Sequence, residues 1–99
     1  FRAPMIVILV STIKEHPKVP PLEQMCSTAA AGQNILLALN ALGFGGIWRT
    51  GKFALNKEIG SFLGLDDNQE VLGYLYIGTP AGDNKKIPQL DPKDFVKKL

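Results

Sequence analysis

The feature that most constrains this chain is a long uncharged segment that follows Pro21 and closes at a group of glycines. No charged residue occurs between Glu23 and Arg49. Pro21 suits the first position of a helix, because the N–H that proline lacks would have no helical partner there. Glu23 then falls in the first turn, where the helix dipole favours a carboxylate, and Gly43 can adopt the left-handed conformation that ends helices. The sequence therefore predicts one helix from Pro21 to Leu42.

The apolar side chains of this helix predict that it is buried. From Ile35 onward the segment is apolar nearly all round, which indicates burial on more than one side. The small residues Ala29–Gly32 would let another backbone approach closely. We expect this helix to be the most buried element and to pack against a second subunit or a further part of a longer chain. The residues that form one stripe at helical spacing are Met25, Ala29, Gly32, Leu36 and Leu39.

An uncharged segment of this length could also cross a membrane. Gln33, Asn34 and Asn40 argue against that, since each amide would need a hydrogen-bond partner inside the bilayer. The purely apolar stretch is short, and the basic residues cluster at the far C-terminus instead of flanking the segment. We therefore expect a core or interface helix and no contact with a membrane.

Length and composition limit the classes of protein to which the chain can belong. Ninety-nine residues allow one domain with a modest core. A net charge of +2, without a basic patch interleaved with aromatics, argues against nucleic-acid binding. The single cysteine, Cys26, rules out an internal disulfide and fits a reducing compartment such as the cytoplasm. The opening segment shows no signal-peptide pattern, and a first residue of Phe1 suggests that the chain is a piece of something longer.

Two further segments read as strands. Met5–Val10 is a continuous apolar run, which predicts a central strand buried on both faces. Val71–Gly78 is rich in aromatic and β-branched residues. A short amphipathic helix is predicted over 55–64, with Asn56 as its N-cap and a buried face, and residues 79–99 read as an irregular arm with at most one helical turn. The side chains expected on that buried face are Leu55, Ile59, Phe62 and Leu63. Two strands are too few for an independent sheet, so we expect something else to complete an α/β or α+β sandwich.

The glycines after the long helix predict a sharp turn. Gly43–Gly46 does not follow a strand and open a helix, as a dinucleotide-binding loop would. A turn with three glycines can instead bring backbone close to a ligand, here the backbone of Trp48–Gly51. From the residue types alone, Trp48 is expected to be a core or interface anchor and Arg49 a solvated surface charge.

The sequence offers no catalytic set of side chains. His16 stands alone in a proline-rich loop, where a solvated role is expected, and Cys26 is expected to be a buried structural residue. There is no metal-ligand spacing and no nucleophile motif. This combination suits an enzyme whose chemistry belongs to a bound cofactor.

Three parts of the sequence together resemble the flavin-dependent nitroreductases, within a small bacterial branch of that family. They are Phe1-Arg2-Ala3-Pro4 leading into the apolar strand, the segment from Gly43 to Gly51, and Gly73 to Pro80. The resemblance implies an α+β fold, a nitroreductase-like sandwich with a central sheet flanked by helices. It also implies a homodimer with FMN at the subunit interface. Such enzymes pass hydride from NAD(P)H to the flavin and reduce nitroaromatics, quinones or similar small-molecule electron acceptors.

The same resemblance assigns the candidate cofactor-binding residues, which are Trp48, Arg49, Thr50 and Gly51. Within that set, the N–H groups of Thr50 and Gly51 match the positions that donate hydrogen bonds to the N5/O4 edge of the flavin. No catalytic side chain and no metal ligand is implied. The resemblance covers nearly the whole chain up to Pro80 and is weak beyond it. It implies that residues 1–99 are the C-terminal part of one domain, with an arm at 79–99, and the arginine-rich motif that holds the FMN phosphate in the family is not among these residues. The alternative is a non-enzymatic flavin-binding or small-ligand-binding module on the same fold.

Overall fold

The structure is a computed structural model that describes residues 3–51, 57–83 and 85–99. It is a mixed α/β arrangement in which one long helix packs on a three-stranded sheet. A second, short helix lies near the opposite face of that sheet. In chain order the elements are β1 (Met5–Thr12), α1 (Pro21–Ala41), β2 (Gly45–Arg49), α2 (Lys57–Phe62), β3 (Gln69–Gly78) and a 3₁₀ turn (Pro92–Asp94).

The sheet is antiparallel throughout and has the order β1-β3-β2, so the last strand of the chain lies in the middle. β1 pairs with β3 so that Ile8 faces Tyr74, and β2 pairs with β3 so that Trp48 faces Leu75. The β1–β3 register shifts once, after Leu9. β3 is therefore paired along both of its edges.

The two faces of the sheet differ in what covers them. Because side chains alternate along a strand, one set points toward α1 and forms the core; we call this the helix-covered face. The other set forms the opposite surface, which we call the open face. The helix-covered face carries Val7, Leu9, Trp48, Leu75 and Ile77. The open face carries Ile6, Ile8, Ile47, Arg49, Tyr74 and Tyr76.

Glycines set how closely α1 approaches the sheet. A Cβ atom at Gly32 of α1 would lie 2.7 Å from Leu9 Cδ1. A Cβ at Gly46 of β2 would lie 2.8 Å from Leu36 Cδ2. The predicted close approach at the small-residue patch is thus present, although side chains, not another backbone, enter it.

The long helix forms as predicted, and its C-terminal stop is the expected glycine. α1 spans Pro21–Ala41, and Gly43 follows with φ of 86°. The prediction that α1 is the most buried element is wrong for this chain. Gly32 is its one buried residue, whereas β3 buries every second residue from Val71 to Ile77, and Leu75 completely. The reason is topological, since β3 is paired on both edges while α1 has the sheet on one side only.

The prediction of a central first strand buried on both faces is also wrong. β1 is an edge strand, and its first two residues, Met5 and Ile6, are exposed. Its apolar run is continuous because Leu9 contributes to the core while Ile6 and Ile8 line the open face. Apolar content alone does not distinguish a side chain in the core from one that lines the open face.

The glycine-rich segment after α1 is a strand and not an extended turn. Gly43 makes the turn, but Gly45 and Gly46 belong to β2. Among the described residues the sheet therefore has three strands, and the third comes from the segment that the sequence predicts to be a sharp turn. A Cβ at Gly46 would force the ends of the Leu36 and Leu39 side chains of α1 to move, so glycine lets α1 pack closely on β2 there.

The short helix and the C-terminal arm agree with the predictions only in part. The short helix is present as Lys57–Phe62, but Phe62 is 86% exposed and not part of a buried face. The predicted Asn56 cap and Leu55 lie outside the described residues. Within the described residues 79–83 and 85–99, the chain has one 3₁₀ turn, in line with the prediction of at most one helical turn, and its apolar side chains are exposed. Within the ranges that the structure describes, no helix has both the length and the hydropathy needed to span a bilayer.

Candidate functional site

The open face of the sheet contains a cleft of about 600 Å³ that is bounded by α2. Strand side chains form its floor, α2 forms one wall, and the residues that leave β2 form its rim. The lining is mainly apolar and aromatic. It comprises Ile6, Ile8, Arg49, Thr50, Gly51, Ile59, Phe62, Leu63, Tyr74 and Tyr76.

The period of two along the strands explains how the floor of the cleft is assembled. Ile6 and Ile8 of β1 pair with Tyr76 and Tyr74 of β3, respectively. On the other side of β3, Arg49 pairs with Tyr74. Direct cross-strand neighbours share a face and lie close together, so aliphatic, aromatic and cationic side chains meet on one surface.

The rim of the cleft is formed where the chain leaves β2. Arg49 makes the last register pair with β3, and Thr50 and Gly51 follow it. Gly51 has φ of 58°, a conformation that glycine adopts without steric cost. Three of the four residues proposed from the sequence, Arg49, Thr50 and Gly51, are thus brought together at this cleft.

The fourth residue, Trp48, lies on the other face. Its register partner is Leu75, and its ring packs against the core of the helix-covered face beside Leu9. The interpretation of Trp48 as a core anchor is confirmed. Its assignment to a cofactor site stays a prediction.

The electrostatics of the cleft come from one cation and two phenols. Among the described lining residues, Arg49 carries the one positive charge. Desolvation by burial, and secondarily the nearby Tyr76, raise the pKa of the Tyr74 phenol above its ordinary value. The phenol is neutral at physiological pH with or without this shift, because its ordinary pKa is already about 10. The cleft can accept a planar, mostly apolar group and can offer it polar contacts at one edge.

A second cavity of about 400 Å³ extends along the same face. It shares Arg49 and Tyr76 with the cleft and continues past Ile47 toward Gly78. These two side chains therefore stand between two hollows on the open face. A ligand longer than one ring could occupy both.

The sequence reading missed the floor of the cleft. Tyr74 and Tyr76 were assigned to a strand and given no role at a site. The signal that could have found them is their spacing of two, which places both rings on one face of a strand. Ile6 and Ile8 have the same spacing in β1.

The other singled-out residues lie away from the cleft. The Nδ1 atom of His16 accepts hydrogen bonds from the backbone N–H groups of Lys18 and Val19, at 3.1 and 3.2 Å, and the side chain is exposed as expected. His16 thus stabilises the turn of its own loop. The prediction that Cys26 is buried is wrong, because it lies on the exposed side of α1.

The Gln24 amide of α1 fixes the same loop. Its Oε1 accepts from the Lys14 N–H at 2.9 Å, and its Nε2 donates to the Lys14 carbonyl at 2.8 Å. The same Nε2 donates to the Val19 carbonyl at 3.0 Å. The loop between β1 and α1 is therefore ordered by local contacts and has no part in the cleft.

The sequence profile of the nitroreductase family matches residues 1–79. The chain belongs to the nitroreductase family. The resemblance inferred from the glycine-rich segment and the β3 motif is confirmed, and so is the nitroreductase-like α+β fold.

Curated relatives in this family include provisionally named NAD(P)H nitroreductases. The chain is 37% identical to YdjA of Escherichia coli (strain K12), over 97% of this chain and 53% of that protein. It is 33% identical to a protein of Haemophilus influenzae, over 96% of this chain and 53% of that protein. The chain spans about half the length of the curated relatives it matches.

Solved structures show the same fold. A nitroreductase-like protein of Bacillus cereus superposes with a TM-score of 0.77 at 19% identity, covering 95% of this chain and 50% of that chain. The NADPH:FMN oxidoreductase of Vibrio harveyi, solved with NAD+, superposes with a TM-score of 0.66 at 28% identity. That match covers 78% of this chain and 34% of the Vibrio chain.

Proposed function

We propose that the protein containing this chain is an FMN-dependent oxidoreductase that uses NAD(P)H to reduce nitroaromatics, quinones or similar small acceptors. The observation that carries the proposal is the cleft in which Arg49, Thr50 and Gly51 meet Tyr74 and Tyr76. Family membership and the relatives' names support the reaction class. The single cysteine fits a cytoplasmic protein.

The residues of the cleft fit the ring system of a flavin. The isoalloxazine ring is planar and largely apolar along one side, and its N5/O4 edge accepts hydrogen bonds. The cleft has an aliphatic and aromatic floor, and the backbone of Thr50 and Gly51 lies at its rim. In this proposal their N–H groups donate to the N5/O4 edge. When bound, the flavin supplies the chemistry by accepting hydride from NAD(P)H and passing electrons to the acceptor.

Each part of the cleft has a separate task in this proposal. Arg49 places a positive charge beside the ring, where it favours electron density arriving on the cofactor. Ile6 and Ile8 provide apolar contact and exclude water. Tyr74, which is neutral at physiological pH, adds aromatic surface without adding charge.

The phosphate of FMN needs more than this chain offers at the cleft. Phosphate groups are held best by charge-assisted and often bidentate arginine contacts. Arg49 is the one cation among the described lining residues, and it lies at the ring in this proposal. We therefore propose that residues 1–99 are the C-terminal part of one nitroreductase-like domain, whose other part holds the phosphate.

We further propose that the protein is a homodimer in which α1 lies at the interface. The side of α1 away from the sheet carries exposed Leu22 and Leu37. The helix has no basic residue, and Glu23 is its one acidic residue. An uncharged helix surface can face its own copy without bringing like charges together.

The test uses the full-length protein. We expect a yellow preparation with flavin absorbance that oxidises NADH or NADPH when a nitroaromatic compound or a quinone is added. A protein that binds flavin but turns over neither class of acceptor would instead support the non-enzymatic module. A colourless protein that does not take up FMN contradicts the proposed function.

A further inference from the structure

Two elements, β3 and α1, pack against the indole ring of Trp48 on the helix-covered face. A Cβ atom built at Gly73 of β3 would overlap indole Nε1 and lie 2.8 Å from Cε2. A Cβ at Gly32 of α1 would lie 2.7 Å from Cζ3 of the same ring. The indole therefore fills the space that these two glycines leave empty, one below it in the sheet and one above it in the helix.

The strand register explains this arrangement. Trp48 pairs with Leu75. Gly73 precedes Leu75 by two residues in β3 and therefore lies on the same face of the sheet. On the other side of β3, Leu9 pairs with Gly73. A glycine within a central strand usually marks a close approach of another group. Here that group is the ring from β2, which reaches diagonally across β3.

Trp48 is the one large side chain that β2 places on the helix-covered face. β2 is an edge strand of five residues, two of which are glycine, and among the described residues it pairs with β3 alone. Short edge elements with few buried contacts open most readily. Trp48 immediately precedes Arg49, which is the last residue of β2 that pairs with β3. Thr50 and Gly51 follow Arg49 and line the cleft.

We infer that Trp48 is a positioning residue, whose indole, fixed between Gly32 and Gly73, holds the end of β2 so that Arg49, Thr50 and Gly51 stay at the cleft. The ring itself does not touch the ligand, because the sheet separates it from the open face. This inference rests on the proposed function for its catalytic meaning. The claim that Trp48 holds the end of β2 in place can be tested without any cofactor.

The first test measures amide hydrogen exchange across 45–51 in the full-length, flavin-free protein. Trp48→Leu removes the outer ring atoms, and Gly73→Ala inserts a methyl group into the volume of the indole. We expect exchange at 45–51 to rise at least tenfold in either variant, while β1 and its pairing with β3 stay protected. Gly45→Ala is the matched control, because a Cβ there meets Pro80 Cγ at an ordinary 3.4 Å.

The double variant is the decisive comparison. The smaller leucine side chain at position 48 would free part of the volume that the added methyl group at position 73 needs. Trp48→Leu combined with Gly73→Ala should therefore exchange more slowly at 45–51 than the sum of the single effects predicts. Additive effects, or a rise in exchange spread evenly over the whole chain, would contradict the inference. If Trp48→Leu does not fold, Trp48→Phe carries the same comparison with the expected rise reduced.

The second test asks whether the ring contacts the cofactor. We expect Trp48→Phe to raise the Kd for FMN at least threefold, while the absorbance spectrum of the bound flavin keeps its shape. A changed spectrum of the bound flavin, or an unchanged Kd, overturns the positioning role. If the wild-type protein binds no FMN, the proposed function fails, and the exchange experiment still decides whether Trp48 fixes the end of β2.

Discussion

Arg49 lies directly opposite Tyr74 on the open face of the sheet, while its neighbour Trp48 lies opposite Leu75 on the helix-covered face. Two consecutive residues of β2 therefore lie on opposite faces of the sheet. The first anchors the strand in the core and the second reaches a cleft that can hold a ligand. This alternation couples the packing of α1 to the position of the candidate site.

Thr50→Pro should weaken FMN binding much more than Thr50→Ala in the full-length protein. Proline removes the N–H that we assign to the flavin edge and restricts the preceding Arg49, whereas alanine keeps the N–H. Loss of a hydrogen bond to a buried ligand edge costs about 1–3 kcal/mol, which is roughly 5- to 150-fold in Kd. The measurement is a fluorescence titration with FMN, and equal retention by both variants contradicts the assigned role.

The 99-residue chain by itself should bind FMN weakly. Arg49 is the one cation among the described residues of the cleft, and the lysines of the arm at 79–99 lie in a proline-broken segment that would have to be ordered. Missing charge-assisted bonds at about 1.5–3 kcal/mol each lower the affinity by orders of magnitude. Flavin fluorescence during a titration checks this. Saturable quenching at submicromolar FMN would show that the phosphate site is already complete.

The free energy of unfolding should decline above about pH 10 in part because of Tyr74. The folded state raises the pKa of its phenol, so above the ordinary pKa the unfolded chain releases the proton more readily. The stabilising contribution is fully present below about pH 10 and is lost as the pH rises through the folded-state pKa. Denaturant unfolding from about pH 8 to about pH 11 measures the decline, which Tyr74→Phe should make shallower.

Tyr76→Phe is the control for the pH experiment. It removes only the secondary cause of the Tyr74 shift, and the larger cause, desolvation, remains. We therefore expect Tyr76→Phe to keep most of the decline that Tyr74→Phe removes. Identical pH profiles in the wild-type protein and Tyr74→Phe would show that the pKa of the Tyr74 phenol is not shifted.

Leu37→Glu should separate the proposed dimer without unfolding the subunit. Leu37 is 58% exposed on the side of α1 away from the sheet, so a charge there is tolerated in one subunit but repels its copy across an interface. Light scattering on the full-length protein measures the mass. A dimer that persists in Leu37→Glu places the interface elsewhere.

Leu39→Glu is the matched control on the same helix. Leu39 packs against the core, and a Cβ at Gly46 would lie 3.2 Å from its Cδ1. A carboxylate there would be buried without a partner, so we expect loss of folding, not a folded monomer. The contrast between positions 37 and 39 distinguishes an interface effect from a stability effect.

Local signals were sufficient for the elements that depend on their own residues. Pro21 and Gly43 bound the long helix because their effects on the backbone act within one turn. The β-branched and aromatic content of 71–78 identified β3 for a similar reason. The motifs in the glycine-rich segment and β3 were specific enough to indicate the family.

The rest depended on contacts between residues far apart in the chain. The sequence alone could not show that Gly45 and Gly46 form a strand, because their lack of side chains looks like a turn until Leu36 and Leu39 are placed above Gly46. Nor could it assign Trp48 and Arg49 to opposite faces without knowing that β2 pairs with β3. The sequence by itself determined where helix and strand propensities begin and end, since those are short-range effects. Only the tertiary structure decided which strand is central, which glycines pack against the indole ring of Trp48 and which side chains form the cleft. These features depend on the register between distant segments.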